Sequence, residues 1–196
     1  MSDIILSIDF ETYGTIPGVH SAASIGVVAY QDYKEVDSFY GVFKPLSWTK
    51  PDPDTMAWWK KYPDAWEEIN TNQEEPNILM ANFYDWGMNL PGDFKSRVFA
   101  ANPNTFDVGF LTFYCYRYAK KFPVNVCYRL RCLDIRSYFA CLAGVDYSKA
   151  ERYKMPPEWF GGESINHRSI DDARQQGQGL MAMMKFACDL LPDGDK

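Results

Sequence analysis

The stretch Ile4-Ile5-Leu6-Ser7-Ile8-Asp9-Phe10-Glu11-Thr12 closes an apolar run with two carboxylates one residue apart. In an extended strand alternate side chains share a face, so Asp9 and Glu11 point the same way and Phe10 points to the other side. Like charges held this close repel, and one must take up a proton unless a cation lies between them. Magnesium and manganese prefer oxygen ligands, and a pair of carboxylates on a rigid strand supplies them. A solvated strand end would carry the same three residues, so the partners of this pair further along the chain decide its meaning.

Working outward, Gly14 and Pro17-Gly18 mark a loop, Ala23 to Tyr30 reads as a second strand and Val36 to Phe43 as a third. The short connection from Gln31 to Glu35 makes these an antiparallel meander. After the breaks at Pro45, Pro51 and Pro53, Asp54-Thr55 caps a helix running from Met56 through Trp58 and Trp59 into Trp66-Glu67-Glu68-Ile69. A second helix, Ile78 to Leu90, stops at Pro91-Gly92. Val98 to Ala101 is a short strand, followed by the turn Asn102-Pro103-Asn104 and a helix from about Asp107 to Lys121. Arg131-Cys132-Leu133 forms the last strand and leads through Asp134 into the helix Ile135 to Leu142, and Gly144 to Glu163 reads as a surface loop. From Ser169 onward Ile170, Ala173, Gly177, Leu180, Met181 and Met184 recur at helical spacing. Three antiparallel strands followed by alternating helices and strands predict an α/β fold, a mixed sheet flanked by helices with Asp9 on a central strand, in one domain spanning residues 1–196.

The 196 residues are 46% hydrophobic, 16% aromatic and 23% charged, enough for a full core. A net charge of -6 argues against a protein that coats duplex nucleic acid through a broad basic face. It does not exclude a carboxylate-rich active site, where bound divalent ions invert the field seen by a phosphate. The basic pairs Lys60-Lys61 and Lys120-Lys121 and the series Arg129, Arg131, Arg136 read first as solvated charge. Five cysteines (Cys115, Cys127, Cys132, Cys141, Cys188) without a Cys-x-x-Cys pair read as reduced core thiols of a cytosolic protein. Met1-Ser2-Asp3 lacks a basic leader region, and no run approaches a membrane span, so no membrane is expected.

Two further groups of residues complete the constellation. Asp107 follows Asn102-Pro103-Asn104-Thr105-Phe106 at a strand-to-helix junction, where a carboxylate also serves as a helix-start residue. His167 and Asp172 lie five apart in His167-Arg168-Ser169-Ile170-Asp171-Asp172-Ala173, in a chain with only two histidines. Asp9-Phe10-Glu11, Asn102 through Asp107 and His167 to Asp172-Ala173, in this order, resemble the three motifs of the DEDDh (DnaQ-like) 3'-5' exonuclease family, which has a ribonuclease-H-like fold. Thr55-Met56-Ala57-Trp58-Trp59-Lys60 and Asp134-Ile135-Arg136-Ser137 extend the resemblance to the branch holding the T-even phage exonuclease A, prophage exonuclease VIII-like proteins and small exoribonucleases. The similarity covers nearly the whole chain and departs from the family pattern in the insertion-like stretch Gly144 to Glu163, which bears on substrate choice rather than chemistry.

The resemblance implies a metal-dependent exonuclease that releases 5' mononucleotides from single-stranded 3' ends. Two divalent ions, Mg²⁺ or Mn²⁺, are held by Asp9 (bridging), Glu11, Asp107 and Asp172, one activating the attacking water and one stabilising the departing 3' oxygen. His167 accepts the proton of the attacking water, a task suited to a group titrating near neutrality. Thr12, Tyr13 and Gly14 are expected to approach the terminal nucleotide with their backbone. Trp58 or Trp59 stacks on a base, but not both, since neighbours on a helix diverge by about 100°. Phe106 and Arg136 complete the expected substrate contacts. DNA is favoured slightly over RNA, a homodimer is left open, and the location is cytoplasmic, the host cytoplasm if phage-encoded. The rivals are a nuclease-like module that binds without cutting and a ribonuclease-H-like endonuclease. The complete set of five polar residues argues against the first, and His167 at its spacing against the second.

Overall fold

The computed structural model describes residues 3–119, 126, 130–161 and 165–190. Lys120, Lys121, Cys127, Arg129 and Glu163, singled out above, lie outside the described residues. The apolar opening stretch forms β1 (Ile4–Thr12), and β2 (Ala22–Gln31) and β3 (Lys34–Val42) complete the antiparallel meander. The β2–β3 turn is tighter than expected, two residues at Asp32 and Tyr33, both at positive φ (51° and 64°). That backbone matches the right-handed twist of the strands it joins. β4 (Arg97–Ala101) and β5 (Cys132–Asp134) add in parallel on the other side of β1. The order β3-β2-β1-β4-β5 places β1 in the middle of the sheet.

Because side chains alternate, β1 feeds two cores. Ile4, Leu6, Ile8 and Phe10 pack with Phe83 of α3 (Pro76–Asn89) and with Phe110 and Tyr114 of α4 (Asn104–Tyr114). Ile5 faces the other layer, with Phe139 of α5 (Ile135–Ala143) and with Ala173, Leu180 and Met183 of α6 (Ser169–Leu190). Ser7, Asp9 and Glu11 continue the Ile5 face, so the carboxylates are presented to α6. That helix lies unusually close to the sheet. A Cβ on Gly26 of β2 would come within 2.3 Å of the Ser169 backbone, and one on Gly177 within 2.4 Å of the Tyr30 ring. The hydroxyls of Ser24 and Ser169 hydrogen-bond across the same contact at 2.9 Å.

Five expectations are corrected. The cysteines are not all core thiols: among the described ones Cys115 is buried, Cys132 and Cys188 are half-buried and Cys141 is exposed. The tryptophan helix is two, α1 (Pro53–Trp59) and α2 (Pro63–Ile69). Pro63 has no N–H to continue α1 and fits the first turn of a new helix. The cap of α1 is Asp52, whose carboxylate accepts from Thr55 N–H at 2.8 Å, instead of Asp54. The helix after Asn102-Pro103-Asn104 begins at Asn104 and is α-helical only to Tyr114, passing into a π turn over Cys115–Ala119. Residues 144–161 are more than a surface loop, because three 3₁₀ turns (Tyr147–Lys149, Arg152–Lys154, Pro157–Phe160) bury Ala150, Met155 and Phe160 in the α5–α6 core. Among the described residues no helix is long and apolar enough to cross a membrane.

Candidate functional site

The β1–β4 ladder ends at the pair Ser7–Ala100, so β1 runs on beyond its parallel neighbour. Past that point Phe10 N–H donates to Asp107 Oδ1 at 2.9 Å, which ties the first turn of α4 to the strand between Asp9 and Glu11. Asp107 is not the N-cap of α4, though its carboxylate also meets its own backbone N–H. The half-buried N–H of Asn104 at the head of α4 is taken by Asp134 Oδ2 at 3.0 Å, and this leaves Asp107 in the first turn for the site.

From the other side, α6 brings Asp172 and Gln176, four residues apart and therefore on one helical face. Gln176 Nε2 donates to Asp9 Oδ1 and to the Ile8 carbonyl, both at 3.2 Å. Asp172 Oδ2 accepts from His167 N–H at 3.1 Å, while its Oδ1 is buried without a partner. His167 sits in the left-handed region (φ 59°), which directs its ring back over the strand. Its Nδ1 lies 3.8 Å from Glu11 Oε1. The ring meets those of Trp58 and Tyr62 at centroid distances of 4.5 and 4.1 Å. The next residue, Arg168, pairs with Glu68 of α2 at 2.7 Å, so the histidine loop is fastened to the tryptophan layer.

Asp9, Glu11, Asp107, His167 and Asp172 all line one cavity of about 290 Å³, together with Phe106, Asn102, Arg152 and Gln176. The electrostatics follow from the crowding of acids in a poorly hydrated place. Burial first, then the charges of Asp107, Glu11 and Asp172, push the Asp9 carboxyl well above its ordinary range. Burial, with Asp172 and Asp107, does the same to Glu11. Burial pushes Asp107 up to about 7 against the pull of the Phe10 N–H bond. Asp172 rises to about 6 by burial, opposed by backbone N–H bonds and by the positive Arg152. Burial lowers His167, so its neutral imidazole is favoured. Carboxylates that raise one another in this way are a poor proton-only arrangement near neutrality and a good cation site. Ligand atoms of Glu11, His167 and Asp172 lie within 4.8 Å of one another, and the orphaned Asp172 Oδ1 lacks the partner a cation would be. The residues present fit an oxygen-seeking divalent ion.

Among the expected substrate contacts, Phe106 lines the cavity. Trp59 is 1% exposed and spends its Nε1–H on the Thr12 carbonyl at 3.0 Å, so it belongs to the core, whereas Trp58 faces His167. Thr12 and Tyr13 are buried, Tyr13 edge-on to Trp66, and Gly14 is pressed against the His20 ring. Arg136 points elsewhere, with its guanidinium 4.6 Å over the Tyr147 ring and its Nε donating to the Tyr147 carbonyl. Sequence reasoning missed Gln176, Tyr62 and Arg152. Gln176 had a signal, since it lies one helical turn beyond Asp172. The other two are brought in by long-range packing that no local pattern announces.

A family model, the 3'-5' exoribonuclease Rv2179c-like domain, matches residues 5–184. The 3'-5' DNA exonuclease Cap18 of Escherichia coli is 25% identical over 181 residues, covering 90% of this chain and 89% of that protein. Among solved structures, a 3'-exonuclease seen in 3'-end specific recognition of a histone mRNA stem-loop superposes with a TM-score of 0.71 at 16% identity, over 95% of this chain and 84% of that one. The nuclease domain of 3'hExo, a DEDDh family member bound to rAMP, gives 0.67 at 18% identity, over 97% and 96%. E. coli Exonuclease I in complex with a dT13 oligonucleotide gives 0.68 at 17% identity, over 95% of this chain but 41% of that enzyme. These structural matches share the ribonuclease-H-like mixed sheet.

Proposed function

The chain belongs to the Rv2179c-like 3'-5' exoribonuclease domain family, and from that membership we propose that it removes nucleotides one at a time from the 3' end of single-stranded nucleic acid. The observation that carries this reading is the convergence of Asp9, Glu11, Asp107, His167 and Asp172 on one cavity. Asp9, Glu11, Asp107 and Asp172 are the proposed holders of two divalent ions, Mg²⁺ or Mn²⁺. When bound, such ions supply Lewis-acid activation of water and neutralise charge on the phosphate and the departing 3' oxygen.

The chain's own residues supply the rest. Gln176 fixes the rotamer of Asp9 through its Oδ1, and Phe10 N–H fixes Asp107. His167 is held neutral by burial, so a ring nitrogen is available to take the proton of the attacking water. The Trp58 and Tyr62 rings restrict that imidazole to one orientation and keep bulk water from it. Trp58 is the better placed of the two tryptophans to meet a base, and Phe106 offers a second aromatic surface at the cavity wall. The preference for single strands is supported by the net charge of -6, which lacks the broad positive face a duplex requires.

The relatives differ in substrate: the family is described as exoribonucleases and Cap18 as a DNA exonuclease. The proposal covers both sugars, with DNA preferred. The test is digestion of matched 5'-labelled DNA and RNA strands with Mg²⁺, Mn²⁺ or chelator. A ladder shortening from the 3' end, with 5' mononucleotides as product and none in chelator, is expected. Cutting of a circular strand would favour the endonuclease rival, and binding without cutting would favour the non-catalytic module.

A further inference from the structure

Among the described residues lining the acidic cavity, Arg152 is the one lysine or arginine side chain, and it comes from the 3₁₀ turn Arg152–Lys154. Its guanidinium lies 4.7 Å over the Phe160 ring and donates from Nη2 to Gln175 of α6. Asp172 and Asp9 both act on its charge, so it stands at the edge of the carboxylate cluster. Met155 and Phe160 of the same segment are buried, and Gly179 of α6 leaves the room that the Phe160 ring occupies, a Cβ there coming within 2.4 Å of it. A guanidinium has five donors in a planar fork, and one is spent on Gln175.

A second hollow lies against the same wall. It shares Arg152, Met155, Phe160 and Ile165 with the acidic cavity and adds Tyr153 and Pro157. Its walls are almost wholly apolar, yet Tyr153 is 77% exposed at its lip, with the Lys154 ammonium 5.3 Å from the ring. An apolar slot with an exposed aromatic rim, sharing a cationic side chain with the acidic cavity, has the make-up of a nucleotide subsite. Ring faces stack on a base, and the cations meet the phosphates on either side of it.

We propose that Arg152, Tyr153, Met155, Pro157, Phe160 and Ile165 form the substrate wall of the site, in which Arg152 binds a non-bridging oxygen of the reacting phosphate and the Tyr153 slot takes the base of the penultimate nucleotide. The proposal rests on the exonuclease reading and adds to it a specific subsite for the strand that remains after cleavage. A fork-shaped donor suits a phosphate oxygen pair better than an ammonium does. Arg152→Met should therefore lower kcat/KM by about 10²-fold, and Arg152→Lys should recover part of that loss through its charge.

The slot is tested by pairing enzyme and substrate changes. Single strands with an intact or an abasic penultimate residue are digested by the wild-type protein and by Tyr153→Ala. Loss of the base should cost the wild type about tenfold in kcat/KM and cost Tyr153→Ala under twofold, because the stacking partner is already gone. Equal losses in both proteins would overturn the slot. Rates within twofold of wild type for both Arg152 variants would overturn the phosphate contact, as would equal losses in the two variants accompanied by equal drops in melting temperature. A wild-type protein that digests neither DNA nor RNA strands would instead remove the exonuclease reading.

Discussion

In the absence of metal, raising the pH from 5 to 8 should destabilise this protein, against the trend of an ordinary acidic domain. The sign follows from the direction of the carboxylate shifts. Asp107 and Asp172 have raised values in the folded state, so over this window the folded chain binds more protons than the unfolded one and stability falls as pH rises. Asp107, at about 7, lies two decades above pH 5, which at about 1.36 kcal/mol per decade is worth on the order of 3 kcal/mol. Asp172, at about 6, contributes roughly 1 kcal/mol more. His167 works the other way: its lowered value gives stability that is present above its unfolded value and lost as pH falls. Asp107→Asn isolates the effect, because the amide oxygen can still accept the Phe10 N–H bond while the charge is gone, and His167 is common to both proteins. At roughly 2–4 °C per kcal/mol for a chain of this size, the wild type should lose about 10 °C in Tm between pH 5 and 8 in EDTA. Asp107→Asn should lose less than half of that. Parallel Tm–pH curves for the two proteins would refute the account of Asp107 as an acid raised by burial.

Three other outcomes follow from the same geometry. Added Mn²⁺ should raise Tm more at pH 8 than at pH 5, by about 2.7 kcal/mol of stabilisation at a hundredfold excess over its Kd, and Asp9→Ala should abolish both this shift and turnover; calorimetry finding unchanged affinity in Asp9→Ala would move the site elsewhere. His167→Ala should lower turnover by roughly 10²–10⁴-fold while isothermal titration still detects metal, and loss of metal binding would make His167 a ligand. Asp171 bonds Asn166 at 2.8 Å and pairs with Arg174 at 3.6 Å, so Asp171→Asn should keep most activity and Asp172→Asn almost none, an order that end-labelled digestion can check or reverse.

How far the sequence could be read depended on the distance over which each feature is encoded. The carboxylates of β1 were legible because strand alternation alone puts Asp9 and Glu11 on one face, and the His167-to-Asp172 spacing carries its own loop-to-helix geometry. The mixed sheet was legible because hairpin-length connections precede helix-length ones. The break between α1 and α2 was readable in principle, since Pro63 stands at the start of a helix, but the apolar residues on both sides of it (Met56, Trp58, Trp59, Ala65, Trp66) read as one helix and masked it. What could not be read were features made by contacts over a long span of chain. Trp58 and Tyr62 reach His167 across more than a hundred residues, and the 3₁₀ segment is held by scattered residues (Ala150, Met155, Phe160) with neither a period of 2 nor of 3.6. Arg152 inherits its position from that packing, so nothing near it in the sequence marks it.

Gly26 carries no chemistry, yet the Ser169 backbone occupies the place a side chain would take. Three residues beyond Ser169 is Asp172, and across the β1–β2 ladder from Gly26 is Asp9. The gap between these two acids is therefore set by how near one helix can come to one strand pair, a dimension in which even a methyl group matters. Gly26→Ala would act as a shim. It would push the start of α6 away from the sheet and part Asp172 from Asp9 without altering a single polar atom, so a chain could retain every residue of its three acidic motifs and still have lost the ability to cut. Related sequences that keep all five polar residues but carry a larger residue at this position are thus the natural place to look for members of this fold that bind nucleic acid without degrading it.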